Sequence, residues 1–158
     1  AIKLISHALP IAFKDGKNID ARGDMLMGAH LAGLALTLSG LGLVHGIAHS
    51  VSATVGAAHG EALATVLPEV MQFNSTVSAD VYATVGNDMG VSANSATAIE
   101  AVRDLSDQIQ IRNPLSFYGV KQEMMEGIAE KVIADSVTSN NPIMPSKPEV
   151  LGILSSRL

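Results

Sequence analysis

Residues 25–60 read MLMGAHLAGLALTLSGLGLVHGIAHSVSATVGAAHG and contain no Lys, Arg, Asp or Glu. Met25, Leu26, Leu31, Leu34, Leu38 and Leu41 recur at helical rather than alternating spacing. A long helix is therefore expected from an N-cap at Asp20 to about His49, apolar nearly all round and hence central. Gly28, Gly33, Gly40, Gly42 and Gly46 would each cost an exposed helix about 1 kcal/mol relative to Ala. Their number reads as room for close packing or backbone approach. A charge-free run of this length also raises a membrane span. Four histidines, several Ser and Thr and the repeated Gly interrupt it, and no basic flank orients it, so no membrane is expected.

Working outward, residues 4–13 read as a short helix bent at Pro10, and 14–18 as a polar turn. Downstream, 50–58 is a small-residue loop, and 60–73 a helix with Leu63, Val66, Leu67 and Val70 on one side. Residues 77–89 and 96–111 have helical spacing on either side of the turn-like 90–94. Asn113-Pro114 and Tyr118-Gly119 punctuate the next connection. Residues 121–134 form an amphipathic helix with Met124, Met125, Ile128, Val132 and Ile133 as its buried set. A last helix, 148–158, follows the breaks at Asn141-Pro142 and Pro145. No alternating strand pattern is sustained anywhere, so the fold class is all-α, a multi-helix bundle, with 1–158 as a single domain.

At 158 residues the chain is about one domain long, large enough to bury roughly two-thirds of its unfolded surface. Hydrophobic residues make up 47% and charged residues 16%, against about 25% charged in an ordinary domain. Apolar burial is thus expected to extend to something beyond this chain. With 10 Lys and Arg against 15 Asp and Glu, no basic field exists to attract phosphate backbones, which excludes nucleic acid as a partner. The absence of Cys removes disulfides, thiolate metal sites and cysteine nucleophiles, and points to the cytoplasm. Ala1-Ile2-Lys3-Leu4 lacks both an initiator Met and a signal-peptide layout, so a fragment or processed product is expected.

His45 and His49 are four residues apart, which sets both imidazoles on one helix face. His59 follows ten residues later beside Gly60. Imidazole is a common metal ligand and titrates near neutrality, so the trio suits a metal or an acid/base site. An ordinary surface or core pair is the competing reading. Against it, an unpartnered imidazole in this charge-free stretch costs about 1–3 kcal/mol. No Asp, Glu or Cys in the same run completes a ligand set. His7 and His30 lack partners at ligand spacing and read as structural.

His45-Gly46-Ile47-Ala48-His49, Ala58-His59-Gly60-Glu61-Ala62 and Leu67-Pro68-Glu69-Val70-Met71-Gln72-Phe73-Asn74 combine into H-x3-H-x9-H-G followed by L-P-x-V-x-x-x-N. With Asp20-Ala21-Arg22, Met25, Ala29, Leu31-Ala32-Gly33 and Asn141-Pro142, the pattern resembles the signature region of the iron-containing, group III alcohol dehydrogenases. The resemblance covers essentially this whole chain, but only the second half of the family's usual length. It implies the C-terminal helical domain of a dehydroquinate synthase-like two-domain fold. The N-terminal dinucleotide-binding domain is absent from this chain, and the active site would lie in the cleft between the two.

Carried over residue by residue, His45 and His59 stand at two metal-ligand positions. His49 stands at the position of a histidine beside the nicotinamide and substrate, a catalytic and cofactor-contacting role. The other two ligands, an Asp and a His, belong to a preceding helix. The resemblance further implies Fe2+, with Zn2+ in some relatives, and NAD or NADP bound mainly by the N-terminal domain. Small alcohols would be oxidised to aldehydes or ketones, and the reverse, with the missing domain or a second chain as partner and a homo-oligomer as the assembly. By itself the chain is expected to be incomplete and inactive. It departs from the family pattern at Ala58, where Pro is frequent, and at Ser52, where Gly is frequent. A glycerol dehydrogenase-like polyol oxidoreductase and a non-catalytic helical interaction module remain as alternatives.

Overall fold

The computed structural model describes residues 1–158. It is all-helical, as the sequence pattern requires: α1 (Ile2–Lys14), α2 (Ile19–Ser39), α3 (Leu43–Val55), α4 (His59–Asp88), α5 (Ser95–Gln108), α6 (Met125–Ala134) and α7 (Lys147–Ser155). Short 3-10 turns occupy Leu115–Tyr118, Gln122–Met124 and Ser136–Asn140. Contacts gather the chain into two compact units. Ala1–Gly40 with Ser78–Ile109 form one, and Leu41–Val77 with Gln110–Leu158 the other. No single helix is long and apolar enough to cross a membrane.

In the first unit α1 packs along α2, and α5 also meets α1. Gly28 earns its place here: a Cβ on it would lie 2.6 Å from Ile5 Cγ1. The N-cap of α2 is Asn18 rather than the expected Asp20, because the Asn18 side-chain oxygen accepts the Ala21 N–H. The long helix expected from 20 to 49 is in fact two helices. Gly40 takes φ +75° and closes α2 by donating its N–H to the Leu36 carbonyl. Gly42 is extended and starts α3. Nor is α2 central: it buries only Ala21 and Gly28, while Leu26, Leu34 and Leu38 stay exposed. Its apolar surface runs round more of the helix than its neighbours in this unit cover. The two helices expected at 60–73 and 77–89 are joined through α4, with non-helical backbone at Ser78 marking the junction.

The second unit holds the main hydrophobic core. Leu43, Ile47 and Val51 of α3 meet Ala62, Val66 and Val70 of α4, Met125, Ile128 and Val132 of α6, and Val150 and Leu154 of α7. Each large side chain buried this fully contributes about 1.5–3 kcal/mol, enough to fix the rotation of α3. At about 100° per residue, the Leu43, Ile47 and Val51 stripe puts His45 and His49 on the opposite side of the helix. Residues 50–58, expected as a loop, are helical through Val55. The helix expected at 121–134 opens as a 3-10 turn before α6. On α4, Glu69 accepts a 2.7 Å hydrogen bond from Arg112 in a largely buried ion pair. The final helix starts on a capping box between Ser146 and Glu149, which matches its expected position behind Pro145.

Candidate active site

The second unit brings His45, His49 and His59 together. α3 ends at Gly56, whose left-handed backbone (φ 76°, ψ 16°) donates its N–H to Ser52 and reverses the chain. Two small residues later His59 opens α4. The ring centres of His45 and His49 lie 6.0 Å apart, those of His45 and His59 5.5 Å, and those of His49 and His59 5.5 Å. The last pair is nearly parallel, with an interplanar angle of 21°. Ser52, a departure from the family pattern, sits in the last turn of α3, not in a loop, and its hydroxyl is buried without a hydrogen-bond partner.

The three rings differ in their surroundings. Burial pushes the His45 pKa below the usual imidazole value, and the neighbouring His59 and His49 push it further the same way. A neutral ring with a free lone pair is the form that binds a metal. His49 Nδ1 instead engages Asp135 Oδ2 at 2.8 Å. The Asp135 carboxyl is held below its ordinary range, first by that hydrogen bond and then by the Val137 N–H.

The donor set fits a borderline first-row cation in chemistry and spacing. Two imidazoles on one ion, each nitrogen about 2.0–2.1 Å from it, have ring centres roughly 5 Å apart. The His45 and His59 rings, at 5.5 Å, need little adjustment. No group of three or more His, Asp or Glu side chains in this chain is arranged to hold a metal ion by itself. Two donors leave a four-coordinate shell half filled. His7 and His30 belong to the other unit and lie exposed on α1 and α2.

Sequence reasoning missed the polar frame behind α3. The segment from Asp135 to Asn141 touches that helix at three successive turns. Asn141 Oδ1 accepts the Leu43 N–H at 3.3 Å, and Asn141 exchanges two further hydrogen bonds with Asn74, at 3.1 and 2.7 Å. Thr138, fully buried, presses on Gly46 so closely that a Cβ there would be 2.1 Å from its hydroxyl oxygen. Asp135 holds His49. These partners lie 67 to 98 residues apart along the chain, out of reach of any local periodicity. Asn74 and Asn141-Pro142 stood in the motif without an assigned role.

Comparison with known proteins matches residues 1–158 to the model of the Fe-containing alcohol dehydrogenase family, C-terminal. Lactaldehyde reductase of Escherichia coli is 34% identical over 149 residues, covering 90% of this chain and 38% of that protein. NAD-dependent methanol dehydrogenase of Bacillus methanolicus is 30% identical over 165 residues, covering 100% of this chain and 43% of that protein. The crystal structure of a 1,3-propanediol oxidoreductase superposes with a TM-score of 0.94 at 30% identity, covering 99% of this chain and 43% of its own. The chain thus spans about two-fifths of the length of these relatives.

Proposed function

The chain belongs to the iron-containing alcohol dehydrogenase family as its C-terminal domain, and from that premise we propose that it forms the helical half of a metal-dependent alcohol dehydrogenase active site. The observation that carries the reading is the meeting of His45, His49 and His59, from two helices, with all three ring separations at or below 6.0 Å. His45 and His59 supply two imidazole donors to the metal, Fe2+ by family and Zn2+ by the same donor chemistry. An Asp and a His from the rest of the enzyme complete the shell. His49 stands beside the nicotinamide of NAD or NADP and the substrate.

When bound, the metal supplies Lewis acidity and the nicotinamide supplies hydride transfer. The chain's own residues do the rest. His45, whose pKa burial lowers, is biased toward the form that offers a lone pair rather than a proton. His49 takes the hydroxyl proton of a small alcohol, or returns it in aldehyde reduction, and passes it toward solvent. Its side chain is 39% exposed on this chain, on the face where the proposal sets nicotinamide and substrate. The exposed apolar residues of α2, Leu26, Leu34 and Leu38, supply surface for contact with the remaining domain or with a second copy in a homo-oligomer. The two units together make up that helical domain of a cytoplasmic enzyme.

The test uses the full-length protein containing this chain, loaded with Fe2+ and offered small primary alcohols with NAD or NADP. Metal-dependent formation of reduced nicotinamide, abolished by a chelator, is the expected result. The 158 residues alone are expected to give no turnover. Chelator-insensitive turnover, or turnover by these residues alone, would refute the reading. A complete absence of turnover with intact partner binding would favour a non-catalytic interaction module.

A further inference from the structure

The Asp135 carboxylate is built into its place by backbone on both sides. Its N–H donates to the Lys131 carbonyl at 2.9 Å and terminates α6. Its Oδ1 accepts the Val137 N–H at 3.1 Å and starts the 3-10 turn. With one oxygen so occupied, Oδ2 is left directed at His49 Nδ1, 2.8 Å away. The Thr138 contact at Gly46 and the Asn141 hydrogen bond to Leu43 fix the register of α3 against the same turn. The carboxylate and the stretch of α3 that carries the ring are thus both held in place.

An ionised carboxylate only accepts hydrogen bonds. The hydrogen between the two residues must therefore sit on Nδ1, and a neutral His49 carries its lone pair on Nε2, on the far edge of the ring. We propose that Asp135 is a positioning residue that locks His49 in the Nδ1–H tautomer and so presents Nε2 as the proton acceptor for the substrate hydroxyl. The inference rests on the dehydrogenase reading for the identity of the substrate, and on the geometry alone for the tautomer. A structural ion pair at the surface would need neither the anchored second oxygen nor a particular edge of the ring.

Asp135→Asn separates the two roles. The Val137 N–H accepts no hydrogen bond, so the new amide keeps its oxygen on Val137 and turns its NH2 toward His49. That NH2 donates, Nδ1 becomes the acceptor, and the His49 proton moves to Nε2. In full-length metal-free protein labelled with 15N-histidine, at alkaline pH, the His49 signals are identified by their loss in His49→Ala. The expected result is Nδ1–H in the wild type and Nε2–H in Asp135→Asn, with the thermal unfolding midpoint little changed. In the metal-loaded enzyme kcat should fall by at least about tenfold, the scale at which groups orienting a reactive histidine act, with KM within about threefold.

A wild-type His49 protonated on Nε2, or an Asp135→Asn protein that keeps Nδ1–H, overturns the proposal. The tautomer readout needs no turnover. An inactive wild type with His49 in the Nδ1–H form counts against the dehydrogenase reading alone. An active wild type with the proton on Nε2 counts against Asp135 alone.

Discussion

Gly46→Ala tests the frame that holds the histidine helix. On an isolated helix the change is worth about 1 kcal/mol in favour of Ala. Here the added Cβ would stand 2.1 Å from Thr138 Oγ1 and 3.7 Å from Val132 Cγ1, whereas an ordinary carbon–oxygen contact is about 3.3 Å or longer. More than 1 Å of movement must be found. Thr138 is fully buried, its N–H is bonded to Asp135 and its carbonyl to Asn141, so it cannot simply step back. Overpacking of this kind costs about 1–3 kcal/mol, and with both ends of the neighbour pinned the upper part of that range applies. The net expectation is a loss of about 2 kcal/mol in urea unfolding. Thr138→Ala removes a hydroxyl that has no hydrogen-bond partner and should cost less than about 1 kcal/mol. In the double variant the new methyl meets the residue-138 Cβ at 3.5 Å and Val132 Cγ1 at 3.7 Å, both ordinary contacts. Stability should return to wild type or exceed it. Urea titrations of the four proteins complete the cycle. A single Gly46→Ala as stable as wild type, or a double variant no better than the single, refutes the reasoning.

Three further outcomes follow from the same geometry. Asn141→Ala strips the Leu43 N–H of its acceptor and leaves Asn74, 6% exposed, without its partner; a loss of about 2–3 kcal/mol is expected, and an unchanged urea midpoint would contradict it. His45 is lowered below its ordinary value of 6.5 by burial first and by His59 and His49 after it. On acidification the unfolded chain therefore takes up this proton before the folded one, so the stability of metal-free protein should fall as pH drops below 6.5 and be fully present above it. His45→Gln should flatten the stability-versus-pH curve in that window, and an identical slope in the variant would count against burial as the cause. Glu69→Ala removes the carboxylate that Arg112, 9% exposed, bonds at 2.7 Å; a loss of about 1.5–3 kcal/mol is expected, the scale of a hydrogen bond to a charged group, and a loss under about 1 kcal/mol by thermal unfolding would show that the pair is dispensable.

Periodicity and spacing carry the helical class and the histidine face because both are local. His45 and His49 share a face by their separation alone, and the Leu43, Ile47 and Val51 stripe turns them away from the core. The break between α2 and α3 escaped the same reasoning. Gly40 and Gly42 resemble the packing glycines around them in sequence, and only the positive φ at Gly40 distinguishes a stop from a close approach such as that at Gly28. Apolar content also misled about position. A helix as hydrophobic as α2 reads as central, yet within its unit only Ala21 and Gly28 are buried. Asp135 was not legible because its partner is 86 residues away. It lies just past a helix end, where a carboxylate reads as a cap, which Asp135 also is.

The metal content of the full-length protein tests the central claim most directly, because the three histidines are assigned different jobs at nearly equal separations. The protein and its His45→Ala, His59→Ala and His49→Ala variants are to be expressed with added iron, purified in parallel and measured for bound metal by mass spectrometry. The expected pattern is roughly one ion per chain in the wild type and in His49→Ala, and a near-complete loss in the other two, since removing one donor of a four-coordinate site leaves too few to hold it. Retention of the ion in His45→Ala or His59→Ala, or its loss in His49→Ala with a native unfolding midpoint, would contradict the assignment.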